Sequence, residues 1–160
     1  MAEEITKLKI DKNHKMLPYD IKDLYVNTLI KETLPIAKSL LLKHSNAQET
    51  EQLITLLDII LQQNYFSFQN NMFQPEIGIS MGSPIFSKIV EIFLQHLENI
   101  HLKKQLDTKT IVFYTRHVDD ILLIYNTEHI SPDKINEYIN QIHPNLKLNP
   151  TRECNNNMSF

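Results

Sequence analysis

The sequence predicts an α+β domain, an antiparallel sheet with helices packed on one face. Three observations lead there. Strand-like and helix-like segments alternate in the order β-αα-ββ-α-ββ-α-β, with no internal repeat and no linker-like boundary. Two strongly apolar runs, Ile111-Val112-Phe113-Tyr114 and Ile121-Leu122-Leu123-Ile124-Tyr125, stand close enough together to form a hairpin. The chain of 160 residues, 42% hydrophobic and 22% charged, suits one domain with a sizeable core.

Each element has its own signal. Met16 through Tyr25 reads as a short strand that ends in carboxylates. Leu29, Ile30, Leu34, Ala37, Leu40 and Leu41 follow at helical spacing, with Pro35 expected to start a new helix or kink this one. A second helix begins after Ser45-Asn46 and carries Leu53, Ile54, Leu56, Leu57, Ile60 and Leu61. Tyr65 to Gln69 and Met72 to Gln74 read as a hairpin turning at Asn70-Asn71, because Asn tolerates left-handed backbone. Ser83-Pro84 reads as an N-cap and first helical position, with Ile85, Ile89, Phe93 and Leu97 following and Ile92 and Ile100 broadening the apolar face. Beyond the second hairpin, Ser131-Pro132 opens a helix through about Ile142, and Leu146 to Leu148 forms a last strand.

The chemistry-bearing residues sit at the punctuation. Asp119 and Asp120 lie together at the tip of the apolar hairpin, where two adjacent anions repel and a turn needs neither. A hard divalent cation bound through oxygen does need them. The chain has two glycines, where average usage of about 7% would give roughly eleven. Both fall in Gly78-Ile79-Ser80-Met81-Gly82, so backbone there must turn sharply, take positive φ or pass close to another molecule.

Composition bounds the partners. A net charge of -3 and a pI near 6.1 argue against a chain that grips nucleic acid unaided, since phosphate neutralisation needs a surplus of Lys and Arg. The single cysteine, Cys154, forms no internal disulfide and points, with no secretory signal in view, to an intracellular compartment. No apolar run approaches the ~18 residues of a membrane span, so no membrane partner is expected.

Three separated pieces, Asp20-Ile21-Lys22-Asp23-Leu24-Tyr25, Gly78-Ile79-Ser80-Met81-Gly82-Ser83-Pro84 and Arg116-His117-Val118-Asp119-Asp120, resemble palm motifs A, B and C of reverse transcriptases, in that order. Val90-Glu91-Ile92-Phe93-Leu94-Gln95 and Ile142-His143-Pro144-Asn145-Leu146-Lys147 are similar to retroelement enzymes of the Penelope-like kind. The likeness divides the chain into an N-terminal extension, 1–15, and a partial palm domain, 16–160. It implies a polymerase palm-like sheet and an RNA-directed DNA polymerase that extends a primer 3′-hydroxyl with dNTPs on an RNA or DNA template. Two Mg²⁺ ions, or Mn²⁺ in their place, would serve it. By the same resemblance Asp20, Asp119 and Asp120 are catalytic and hold the metal with the backbone carbonyl of Ile21, so the end of the first strand must lie beside a hairpin tip 99 residues further on.

The resemblance also implies that Asp23 and Leu24 offer backbone to the triphosphate, that Tyr25 excludes a 2′-hydroxyl, and that Gln74, Gly78, Gly82 and Ser83 line the nucleotide site. Met81 and His117 would touch primer or template. Plainer roles stand beside these: Tyr25 as a core aromatic on a strand, Gln74 as an exposed polar strand residue, Lys147 as a solvated lysine, Glu91 as a helix-surface acid and Arg116 as a strand-end base. The chain departs from the family's pattern at His117, where tyrosine is usual, and at Val26-Asn27-Thr28-Leu29, where a Thr-Asn-Ile-Pro run is common. Fingers and thumb regions, which active relatives carry, would be needed for nucleic-acid grip. The alternative is a decayed, non-catalytic retroelement fragment acting at most as an interaction module. The nucleus is the compartment that a retroelement suggests.

Overall fold

The computed structural model describes residues 10–76, 78–79 and 84–151. Its elements are those of an α+β, palm-like fold. They fall into two compact units: Met1–Lys22 with Ile100–Phe160, and Asp23–Asn99.

The first unit is built on a sheet of four antiparallel strands, β1 (His14–Lys22), β4 (Ile111–His117), β5 (Asp120–Asn126) and β6 (Lys147–Pro150), in the order β4-β5-β1-β6. Alternation sorts the side chains. Tyr19, Ile21, Ile121, Leu123, Tyr125 and Leu148 are buried, while Asp20, Lys22, Asp120, Lys147 and Asn149, one step out of phase, are exposed. The first strand does not run on to Tyr25 as expected. It stops at Lys22, because Asp23 takes a left-handed conformation (φ 52) that no ladder continues.

The final helix of this unit, here α5, spans Pro132–Asn140 and starts as expected, with the Ser131 hydroxyl accepting from the Lys134 amide. It ends two residues short of Ile142, where Asn140 turns its side chain onto β6, donating to the Leu148 carbonyl (3.0 Å) and accepting from the Leu148 amide (2.9 Å). The Tyr138 hydroxyl donates to the His101 carbonyl at 2.7 Å, tying α5 to the end of the long helix α4 (Pro84–Asp107).

The second unit contains α1 (Leu24–Asn27), α2 (Ile30–Leu41), α3 (Ala47–Gln62), the hairpin β2 (Phe66–Phe68) and β3 (Asn71–Phe73), and α4 as far as Asn99. Leu24 and Tyr25, expected on a strand, form the single turn of α1. It is closed by Thr28, whose amide and hydroxyl both donate to the Leu24 carbonyl. Pro35 neither starts nor breaks α2; it sits exposed inside one continuous helix, where it removes only the hydrogen bond that its missing N–H would have made to Lys31. The Asn46 side chain caps α3 by accepting from the Glu49 amide, and a Lys38–Glu51 ion pair joins α2 to α3.

Two further expectations are corrected. The β2–β3 turn is Gln69-Asn70 rather than Asn70-Asn71: both residues have positive φ (50 and 61), the pattern of a type I′ turn, and Asn71 pairs with Phe68 inside the ladder. The buried residues of α4 are Phe86, Ile89, Val90, Phe93, Leu94 and Leu102, and Ile100 is 55% exposed instead of broadening the core face. The Ser83 cap lies outside the described residues.

Candidate active site

Strand register brings the separated carboxylates together. Asp20 of β1 is the direct cross-strand partner of Asp120 of β5, which in turn pairs with His117 of β4, and Asp20 pairs on its other side with Asn149 of β6. His117, Asp120, Asp20 and Asn149 thus form one exposed row across all four strands. Directly paired residues share a face with Cβ atoms about 4.5–5.5 Å apart. The row is locked from the next position as well: the Ile21 amide donates to the Asp119 carbonyl at 3.0 Å.

Asp119 and Asp120 are not equivalent at the tip. Asp120 opens β5, whereas Asp119 is the second residue of the two-residue turn Val118-Asp119. Val118 has φ 58, which for a β-branched residue is an outlier. The Arg116 guanidinium reaches over the turn and donates to the Val118 carbonyl at 3.1 Å.

These residues offer hard oxygen donors in a row position that suits a divalent cation by type. Among the described residues, however, no group of three or more His, Cys, Asp or Glu side chains is already gathered as a metal holder.

The nucleotide-side candidates fall in the second unit. Asp23 precedes α1, Leu24 is buried, and Tyr25 is half-buried with its carbonyl accepting from the Ile79 amide at 2.9 Å. Gly78 has φ 82 and lies so close to Val26 that an added Cβ would stand 2.2 Å from the Val26 carbonyl oxygen. Both of glycine's freedoms, positive φ and close approach, are used here. The Gly78 carbonyl accepts from Asn64 Nδ2 at 2.9 Å. Gln74 is exposed, with its side-chain amide donating to the Gln62 carbonyl at the end of α3. Met81, Gly82 and Ser83 lie outside the described residues.

Sequence reasoning missed Asn64 and Val26. An Asn just after a helix reads as a terminator, and nothing local says that its amide reaches a glycine 14 residues on.

The search of solved structures returns apo telomerase from Candida tropicalis truncated from its C-terminal domain, with a TM-score of 0.60 over 99% of this chain at 16% identity. The fold is reverse-transcriptase-like. At that identity the likeness speaks for the fold alone, and the chain spans 35% of the telomerase chain. No protein-family model matches the sequence, and no curated protein matches it. Among the described residues no helix is long and apolar enough to cross a membrane.

Proposed function

We propose that this chain is the palm of a reverse transcriptase of the Penelope-like kind, carrying the carboxylates of an RNA-directed DNA polymerase. The observation that supports it most is the register that sets Asp20 opposite Asp120 and bonds Ile21 to Asp119, residues about a hundred positions apart. Like charges directly opposed on a sheet are unfavourable. A fold that places them so, at an exposed strand end, has a use for negative charge there.

In this reading Asp20, Asp119 and Asp120 hold Mg²⁺, or Mn²⁺ in its place. A bound pair of such ions supplies neutralisation at the attacking 3′-oxygen and the leaving pyrophosphate. The chain's own residues do the rest by placement. Asp20 and Asp120 present oxygen from neighbouring strands, the Ile21 amide fixes the tip, and exposed His117 at the end of the row donates to a primer backbone. Asp23, Leu24 and Tyr25 meet the dNTP, with Gly78 held against the chain just after Tyr25 and Gln74 on the same segment. Met81, Gly82 and Ser83 continue that segment. Template and primer grip comes from fingers and thumb regions, consistent with the net charge of -3. The nucleus is the proposed compartment.

Primer extension on a primed RNA template with Mg²⁺ or Mn²⁺ tests this. The chain, alone or joined to fingers and thumb segments, should extend the primer, and Asp119→Ala/Asp120→Ala should abolish it. No extension in either form would reject the polymerase. A second reading is a non-catalytic palm serving as an interaction module. Failure of Mn²⁺ to broaden the resonances of Asp20, Asp119 and Asp120 would select it.

A further inference from the structure

The hairpin tip carries a conformation that its own sequence resists. In a two-residue turn with positive φ only at the first central residue, the type II′ pattern, that position belongs to glycine. Here Val118 occupies it at φ 58 and is 43% exposed, so packing does little to hold it there. Such a residue persists only where its surroundings over-determine it. Two donors do so. The Ile21 amide takes the Asp119 carbonyl (3.0 Å), and the Arg116 guanidinium takes the Val118 carbonyl (3.1 Å).

The Val118 carbonyl belongs to the central peptide of the turn. Flipping that peptide interconverts types II′ and I′, and in type I′ the second central residue also has positive φ. The second residue is Asp119, so the flip would swing a candidate catalytic carboxylate. Arg116 pairs with buried Ile121, one register position back from the row of His117, Asp120 and Asp20. It therefore stands outside the acid row and acts on it from behind.

We infer that Arg116 is a positioning residue, whose bond to the Val118 carbonyl selects the type II′ turn and thereby sets the direction of Asp119. Its consequence for catalysis rests on the polymerase reading; its effect on the turn does not. A side chain reaching a main-chain carbonyl needs a long donor arm, which Arg supplies and Lys supplies in part.

The test uses the full chain as wild type, Arg116→Ala, Arg116→Lys, Val118→Gly and Arg116→Ala/Val118→Gly. The first readout is the sign of φ at Asp119 from its one-bond Cα–Hα coupling in NMR, and the second is Mn²⁺ affinity from line broadening. Arg116→Ala should give Asp119 an average of both signs of φ and weaken Mn²⁺ about tenfold, as loss of an outer partner of a metal ligand does. Arg116→Lys should retain most of both. In the Val118→Gly background, where the type II′ turn needs no help, removing Arg116 should change affinity by less than about twofold. An unchanged Asp119 coupling in Arg116→Ala, or an equal loss in both backgrounds, would overturn the inference. If Arg116→Ala does not fold, Arg116→Met, which keeps the stem and removes the donor, with and without Val118→Gly decides by the same coupling. A wild-type chain that binds no Mn²⁺ would sink the polymerase reading, and the Asp119 coupling would still judge Arg116.

Discussion

The carboxylate tip at 118–120 and the glycine segment at 78–79 face the same problem, holding a few residues in a conformation that the chain would not choose alone. They are held by different means. At the tip, regular strand pairing does most of the work: seven register pairs between β1 and β5 deliver Asp20 to Asp120, and single bonds from Ile21 and Arg116 finish the turn. Among the described residues the glycine segment has no ladder beneath it. One backbone bond from Ile79 to Tyr25, one side-chain bond from buried Asn64 and a contact that only glycine permits hold it in place. A ladder spreads its load over many equivalent bonds, whereas pins concentrate it, so single substitutions should hurt the second region more than the first.

Gly78→Ala should show this most strongly. Its Cβ would meet the Val26 carbonyl oxygen at 2.2 Å, and the φ of 82 is itself unfavourable for alanine, so backbone must move. A loss of about 3–5 kcal/mol is expected, read as a lowered denaturant midpoint of the full chain. A loss under about 1 kcal/mol would mean that the segment has an alternative seat. Asn64→Ala comes next: it leaves the Gly78 carbonyl without this donor and should cost about 1–3 kcal/mol by the same measurement. Asn64→Asp should do no better, since the lost group is the amide donor.

The same difference explains what could be read in advance. The strands were legible because two apolar, β-branched runs, Ile111–Tyr114 and Ile121–Tyr125, stand close enough together in the sequence to pair as a hairpin. The convergence of Asp20 with Asp120 became legible through the motif resemblance, since no local signal spans that separation. Asn64 was not legible, because a pin is a coincidence of two distant positions with no period. The hairpin turn was misplaced by one residue for a related reason: Asn70 and Asn71 both tolerate left-handed backbone, and the stacking of Phe66 on Phe73, centroids 5.7 Å apart, sets the register that spends the turn on Gln69-Asn70.

Within the sheet one buried group tests how forgiving a ladder is. The Tyr19 hydroxyl is buried without a hydrogen-bond partner among the described residues, and Thr50 Oγ1 shares that state in α3. Burial, with the Tyr125 phenol adding to it, pushes the Tyr19 hydroxyl up to about 12. Its neutral form is favoured in the folded chain. The stability this lends is whole below about pH 10, the value of an unburied tyrosine, and is lost as pH rises toward about 12. Tyr19→Phe should stabilise the chain at neutral pH by about 1 kcal/mol and flatten the fall in thermal midpoint above pH 10. An unchanged alkaline fall would assign it to other groups.

The smallest effect on stability should come from the acid row itself, and its sign matters more than its size. Asp20 and Asp120 are exposed and directly opposed, so each raises the other's electrostatic energy by about 0.2–1 kcal/mol. Asp120→Asn should therefore stabilise the fold by a few tenths of a kcal/mol, within that range, while primer extension is lost. The gain should shrink from low salt to 1 M salt, where the screening length falls to about 3 Å. If Asp120→Asn instead destabilises the chain, the carboxylate is holding the turn and the row is structural. Stability gained where activity is lost is the mark of charge kept for a ligand, and the ladder, which tolerates the repulsion over many bonds, is the region able to carry it.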